Sequence, residues 1–274
     1  MRNSIEKQDI LNILQGLTAV SGHGQFHTAN PNSKNPKPYI NDVSWENILN
    51  MVKNPRSIPK EKAQWAIFST STGEQARVHD FQRQHGKFFC AWGDIDDVSS
   101  LAVLDVVNRV QSALPGIHHL IYSSRSARPD LPKTRILIPF AGIVKGADYS
   151  MIQKILNDRL QASGLLPDRA SERPGQLCYL PNRGEFYQFQ IIDGPLLDPY
   201  QAFESEIKAE QARLKTEQQD RQKRHKEAIE KAQERVNAGQ VDPVEAYRQN
   251  YPLELALEMY GYTRRDNKWM SPKS

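Results

Sequence analysis

No run of eighteen or so consecutive apolar residues occurs in this 274-residue chain, which excludes a helix that spans a bilayer. The start, Met1 to Ile10, is polar and lacks the charged-then-apolar order of a secretory signal. Cysteine is scarce: Cys90 and Cys178 stand alone, with no Cys-x-x-Cys and no histidine at zinc-partner spacing. A disulfide framework and a structural zinc site are therefore excluded, and the two thiols are expected to be buried and reduced. Together these absences predict a soluble intracellular protein. A strong excess of one charge is missing too. Lys and Arg total 36 against 32 Asp and Glu, a net charge of +4, which permits contact with an acidic polymer without requiring it. No internal repeat is visible.

What is present is enough apolar material, 38% of residues, for one substantial core and an appendage. A short helix is predicted over Ile5 to Leu14. Ser21 to Pro38, rich in Gly, Asn, Pro and Ser, reads as a loop. His23 and His27 lie four apart there, but Gly22, Gly24 and Pro31 argue against the helix that would let them share a metal. Ser44 opens a capped helix whose apolar face is Ile48, Leu49, Met51 and Val52, ending before Pro55.

From Trp65 short apolar runs alternate with helical stretches. Predicted strands are Trp65 to Thr70, Phe88 to Ile95, His118 to Ser123, Thr134 to Phe140, Gln176 to Leu180 and Phe186 to Ile192. Predicted helices are Ser99 to Leu114 and Asp148 to Ser163. One sheet covered by these helices is the economical arrangement. After Pro199 the composition shifts: Gln201 to Gln240 is dominated by Glu, Lys, Arg, Gln and Ala, with no Pro and Gly only at Gly239. Its apolar residues are too sparse to bury a face, so it reads as a long solvated helical linker. Val241 to Ser274 returns to a small amphipathic pattern read as helical, with Leu253 and Leu257 four apart.

Three segments carry candidate chemistry. In Trp92-Gly93-Asp94-Ile95-Asp96, side chains of a strand alternate between faces, so Asp94 and Asp96 point the same way at the end of an otherwise buried run. Two such carboxylates repel unless a cation lies between them, and hard oxygen ligands suit Mg²⁺ or Mn²⁺. The plainer alternative is that they end the strand and cap the next helix. The second segment runs from Ser124-Arg125-Ser126-Ala127 to Lys133-Thr134-Arg135. Its hydroxyls and cations, bunched between two strands, suit a phosphate, and equally fit a polar hairpin. Lys133 and Arg135 share one strand face by the period of two. The third places Asp168 upstream of Arg173, Gln176 and Tyr179, and alone it is a commonplace surface acid.

Taken in order, these segments resemble the archaeo-eukaryotic primase superfamily, especially the primase-polymerases of prophages and plasmids. The likeness covers roughly Gln64 to Asp198 and lies in Trp92 to Asp96, Tyr122 to Pro139, and Asp168 to Pro181. It implies an α+β fold, a two-layer mixed sheet with covering helices like an RNA-recognition-motif domain, followed by the long helical extension. It implies a nucleotidyltransferase in which Asp94, Asp96 and Asp168 hold two Mg²⁺ or Mn²⁺ ions, spaced about 3.5–4 Å as two-metal chemistry requires. Ser124, Arg125, Ser126, Lys133 and Arg135 would face a nucleoside triphosphate, and Arg173, Gln176 and Tyr179 the neighbouring nucleotide or template.

The chain departs from the family pattern at Ala127, where a phosphate-contacting histidine is expected, whether by natural variation or by substitution. Losing one charge-assisted contact costs about 1.5–3 kcal/mol, a weakening rather than an abolition. His118 and His119 lie inside the preceding strand and are expected to pack there. Leu257 to Trp269, with its Gly-Tyr-x-Arg turn, resembles the segment joining such primases to a helicase, which implies truncation near Ser274. The expected organisation is a catalytic domain over 1–198, a charged linker over 199–240 and a small helical segment over 241–274. The expected partners are single-stranded DNA template, nucleoside triphosphates and a C-terminal helicase domain, with no membrane, in the cytoplasm of a bacterial host. A metal-dependent nuclease using the same aspartates, and a single-stranded-DNA-binding replication initiator with a non-catalytic nucleotide site, are the competing readings.

Overall fold

The computed structural model describes residues 13–24, 40–96, 103–239, 244–245, 253–265 and 268–270. The chain divides into two compact units, Met1–Glu204 and Ser205–Ser274. The helix expected over Ile5 to Leu14 lies outside the described residues except for its last two positions, which are helical. Residues 25–39 of the expected loop, and the start of the helix expected from Ser99, lie outside them as well.

Among its described residues the first unit contains two four-stranded sheets where one was expected. Sheet one has the order β2-β1-β3-β7, built from β1 (Thr18–His23), β2 (Ile40–Ser44), β3 (Gln64–Ile67) and β7 (Cys178–Tyr179). Sheet two has the order β4-β6-β5-β8, built from β4 (Lys87–Ile95), β5 (His119–Ser123), β6 (Thr134–Lys145) and β8 (Phe189–Ile192). The ladders between named strands are antiparallel, and parallel pairing occurs at the isolated bridges Arg56–Asn182 and Phe140–Leu197. The second sheet arises because β1, which includes Ser21–His23 of the expected loop, pairs with the Trp65 strand instead. Gly22, which suggests a loop in the sequence, serves packing: a Cβ there would lie 2.4 Å from the Trp65 ring. The glycine lets that indole cross β1, where its Nε1–H donates to the Gly24 carbonyl at 3.1 Å.

Sheet two is covered on both faces. Leu120, Tyr122, Leu137, Cys90 and Trp92 face a core shared with Ala19, Ala66, Phe68, Cys178 and Leu180 from sheet one and its flanks. The helices α3 (Val103–Ala113) and α4 (Gly146–Ala162) bury Val106, Val110, Ile152, Leu156 and Leu160, and Gly93 of β4 looks toward Leu160. This double cover makes β4 a nearly continuous buried run. Both cysteines are buried and free, and burial pushes each thiol up, Cys178 to about 12. His118 and His119 are buried, as expected of packed residues. The helix α1 (Trp45–Lys53) starts at Ser44, whose Oγ accepts from Asn47 N–H at 3.1 Å while Asn47 Oδ1 accepts from Ser44 N–H at 3.0 Å. The short helix α2 (His79–His85) precedes β4.

After the one-turn α5 (Pro199–Ala202), α6 (Glu204–Asn237) runs for 34 residues. It is mostly exposed and carries ion pairs one turn apart, Arg213 with Glu217, Lys223 with Glu227 and Lys226 with Glu230. The tail of the second unit is not purely helical. α7 (Leu253–Met259) is followed by an antiparallel hairpin of β9 (Thr263–Arg265) and β10 (Lys268–Met270). The sequence signal is a pair of short strand-prone runs on either side of Asp266-Asn267. Among the described residues no helix is long and apolar enough to cross a membrane.

Ser44→Ala should lower the unfolding free energy by about 1 kcal/mol, read as a lower urea midpoint with unchanged slope.

Candidate active site between the two sheets

The register between β4 and β6 sets Asp94 opposite Arg135 and Ile95 opposite Thr134. Arg135 Nη2 donates to Asp94 Oδ2 at 3.1 Å, and Lys133 Nζ lies 3.2 Å from Asp96 Oδ2. The two pairs differ in setting. The side chains of Asp94 and Arg135 are 17% and 13% exposed, while that of Asp96, just past the strand, is 54% exposed. Arg135 also lies opposite Tyr122 on β5, whose hydroxyl donates to the Tyr179 carbonyl at 2.7 Å, tying sheet two to β7 of sheet one. Its guanidinium sits 5.9 Å from the centroid of the Tyr179 ring, and Lys60 Nζ 5.7 Å.

Asp168 is brought in through the backbone. Its N–H donates to the Asp94 carbonyl at 2.8 Å, and its Oδ1 accepts from Ala170 N–H at 2.8 Å, capping the 3-10 turn Arg169–Glu172. The three acids therefore lie at one end of β4. Burial pushes the Asp94 carboxyl above the ordinary carboxylate range, Arg135 pulls it partway back, and Asp96 and Asp168 push it up again as like charges. For Arg135, burial opposes the charge, but Asp94 beside it outweighs burial and raises its affinity for the proton.

The turn between β5 and β6 supplies the polar wall. Ser124 N–H donates to the Lys133 carbonyl at 2.8 Å, and Ala127 N–H to the Ser124 carbonyl at 3.1 Å. The Ser124 and Ser126 hydroxyls are 3.3 Å apart. Arg125 Nη1 donates to the Arg183 carbonyl at 3.1 Å. A cavity of about 310 Å³ opens here between the sheets, lined by Asp96, Ser124, Arg125, Ser126, Lys133, Arg135 and Tyr179 together with Lys60, Ala63, Leu180 and Asn182. Lys60 and Asn182 were not singled out in the sequence. Asn182 fixes the Lys60 loop by accepting from the Ile58 N–H and donating to the Ile58 carbonyl, at 3.0 and 2.8 Å, a contact across 124 residues that spacing does not reveal.

Five of the expected residues do not line that cavity: Asp94 and Asp168, which lie at the strand end beside it, and Ala127, Arg173 and Gln176. Ala127 is only 2% exposed and faces into the turn. Arg173 and Gln176 bond each other, Nη2 to Oε1 at 3.1 Å, beside His79, whose Nδ1 accepts from Gly175 N–H at 3.0 Å. Burial, followed by the charges of Arg173 and Arg83, lowers the His79 pKa, which favours the neutral ring that this hydrogen bond requires.

Whether the acids suit a divalent ion is tested by their free valences. Asp94 Oδ2 holds Arg135, but Oδ1 is buried without a hydrogen-bond partner, on a carboxyl that also feels the like charges of Asp96 and Asp168. Among the described residues no group of three or more His, Cys, Asp or Glu side chains is already gathered as a metal cage. The donor set fits a hard cation, then, through Asp94 Oδ1 and the more exposed Asp96, with Lys133 and Arg135 neutralising the pair in the meantime.

No family model matches the chain, and no curated protein matches it. Among solved structures it is similar to the AEP domain of the cyanophage S-2L primase-polymerase (PrimPol), with 14% sequence identity, a TM-score of 0.41, and coverage of 73% of this chain and 96% of that one.

Arg135→Leu leaves Asp94 buried and unpaired and should cost about 3–5 kcal/mol at neutral pH. The loss should shrink as pH falls, because Asp94, its carboxyl already raised, then takes up a proton. Lys133→Ala, beside the exposed Asp96, should cost at most about 1 kcal/mol. Urea unfolding across pH distinguishes the two. Ala127→His overfills a closed turn and should destabilise by about 1–3 kcal/mol in the same assay.

Proposed function

We propose that this chain is a template-directed nucleotidyltransferase, a primase-polymerase that makes or extends primers at the Asp94 end of β4. One observation carries the reading. Asp94, Asp96 and Asp168 meet at one strand end, Asp168 N–H bonded to the Asp94 carbonyl, beside a cavity walled by Ser124, Arg125, Ser126, Lys133 and Arg135. Acids next to a hydroxyl- and cation-lined hollow are what a triphosphate and its metals require, and the order of the three segments supports the family resemblance.

On this reading Asp94, Asp96 and Asp168 hold the ions. Two Mg²⁺ or Mn²⁺ ions bound there supply the charge that neutralises a triphosphate and favours ionisation of a primer 3′-hydroxyl. With Asp94 and Asp96 given over to the ions, Lys133 and Arg135 would be free to bind the phosphate oxygens, Arg135 as a planar fork and Lys133 as a point charge. The Ser124 and Ser126 hydroxyls donate to the same oxygens. Tyr179, flanked by Lys60 and Arg135, presents a ring on which a base of the single-stranded template can stack. Arg173 and Gln176 lie farther out and serve the template strand. Residues 1–198 form the catalytic domain, 199–240 the charged linker, and the 241–274 segment leads toward a helicase partner.

A second reading, a replication initiator that binds single-stranded DNA and keeps a non-catalytic nucleotide site, is favoured by the ion pairs that hold Asp94 and Asp96 to cations. Primer extension on a single-stranded DNA template with dNTPs and Mn²⁺ or Mg²⁺ separates the two. The proposed enzyme should extend, and Asp94→Ala should lower extension by roughly a hundredfold or more. DNA binding without extension at any metal concentration would establish the initiator instead.

A further inference from the structure

The outer edge of β4 carries a closed circuit of buried hydrogen bonds that the three acids alone do not explain. β4 ends the order of sheet two, so its outward edge meets no named strand and is bridged only at its ends, by Ser69–Phe88 and Ile95–Pro167 among the described residues. At Trp92 the N–H and C=O are both taken by one side chain of α4. Gln153 Oε1 accepts from the Trp92 N–H at 3.2 Å, and Gln153 Nε2 donates to the Trp92 carbonyl at 2.8 Å, so that a primary amide takes the place of a neighbouring strand. The same Nε2 donates to Asn157 Oδ1 at 3.2 Å, and Tyr149 Oη donates to Gln153 Oε1 at 3.2 Å. One turn on, Asn157 Nδ2 donates to Ser171 Oγ and to Glu172 Oε1, each at 3.1 Å. Ser171 Oγ donates to the Asp168 carbonyl at 3.0 Å, and the Asp168 N–H returns to β4 at the Asp94 carbonyl.

Gln153, Asn157 and Ser171 are each 0% exposed. Leucine at Gln153 and Asn157 would extend the apolar face of α4, and a buried amide contributes little net stability even when all of its groups are bonded. What this amide pair does instead is join two points on one strand, Trp92 and Asp94, to the turn that bears Asp168.

We propose that Gln153 and Asn157 are positioning residues: they fix the Asp168 turn against β4 and thereby set the spacing of the Asp94 and Asp168 carboxylates for a divalent cation. The proposal rests on the nucleotidyltransferase reading for the cation but not for the clamp. The two residues touch neither substrate nor cation, and they act through the backbone of β4 and through Ser171. The supporting contacts match the way outer-shell hydrogen bonds orient metal ligands elsewhere, where their removal weakens metal affinity by roughly 10–100-fold.

The test uses the full chain and two readouts, Mn²⁺ affinity from titration followed by electron paramagnetic resonance of the free ion, and hydrogen exchange of the Asp168 amide. Gln153→Met/Asn157→Leu replaces the amide pair by apolar groups of similar volume and leaves the Trp92 N–H and carbonyl without their partner, so its thermal midpoint should fall. Ser171→Ala removes one hydroxyl and keeps the proposal testable if the double variant does not fold. Expected are faster exchange at Asp168 and Mn²⁺ binding weakened by roughly tenfold or more in the double variant, less in Ser171→Ala, whose thermal midpoint should stay near wild type. A folded variant with unchanged Asp168 exchange and unchanged Mn²⁺ affinity overturns the proposal. Wild-type chain that shows no Mn²⁺ binding sensitive to Asp94→Asn overturns the functional reading instead, and the exchange result then judges the clamp by itself.

Discussion

Strand β4 lies at the edge of its sheet yet is buried on both faces, and its outward backbone groups have to be satisfied without water. Partners from three regions of the chain do so in succession. Near its start the Phe89 N–H donates to the Phe68 carbonyl, at Trp92 the Gln153 amide engages both groups, and at its end the Asp94 carbonyl receives the Asp168 N–H. Each partner comes from a different part of the first unit, so closing this one edge gathers sheet one, α4 and the 3-10 turn around a single strand. The acidic end of that strand is a by-product of the same requirement. Whatever closes the edge beyond Ile95 is brought against Asp94.

The electrostatics follow from that placement. A carboxylate as enclosed as Asp94 is costly to ionise, and two further acids nearby add to the cost. Arg135, directly across the ladder, offsets part of it, and the double cover of the sheet keeps that pair from water. Lys133 and Asp96, two residues along and past the cover, form a looser pair. The site is thus graded from a buried, tightly held pair to a half-exposed one within two residues, with the cavity on the exposed side.

Legibility from the sequence varies with the range of the interaction. The Ser44 cap was legible because its determinants lie within three residues, and the buried run of β4 because it is long and continuous. The strand period suggests a shared face for Lys133 and Arg135, but Lys133 lies just before β6 and only the register sets Arg135 opposite Asp94. Of the first sheet, β3 and β7 fall within predicted strands, whereas β1 and β2 were missed because they are short and half polar, and because Gly22 marks a close approach to Trp65 rather than a turn. The hairpin β9–β10 was missed for the same brevity. Tyr149, Gln153 and Asn157 do leave a trace, a polar stripe at helical spacing on a face that is otherwise apolar, but nothing in the helix says what the stripe bonds to.

The sequence by itself determined the elements whose causes are local: the capped helix, the buried strand ending in Asp94, the basic strand that follows, and the solvated charged helix. It also settled the free, buried state of the two cysteines, since lone thiols in apolar runs have nowhere else to go. Only the tertiary structure decided that the described strands of the first unit fall into two sheets, that Ala127 is buried, that Lys60 and Asn182 line the cavity, and that Asp168 reaches Asp94 through backbone. Those outcomes depend on contacts across tens to more than a hundred residues, where edge satisfaction and register, rather than propensity or spacing, choose the partner.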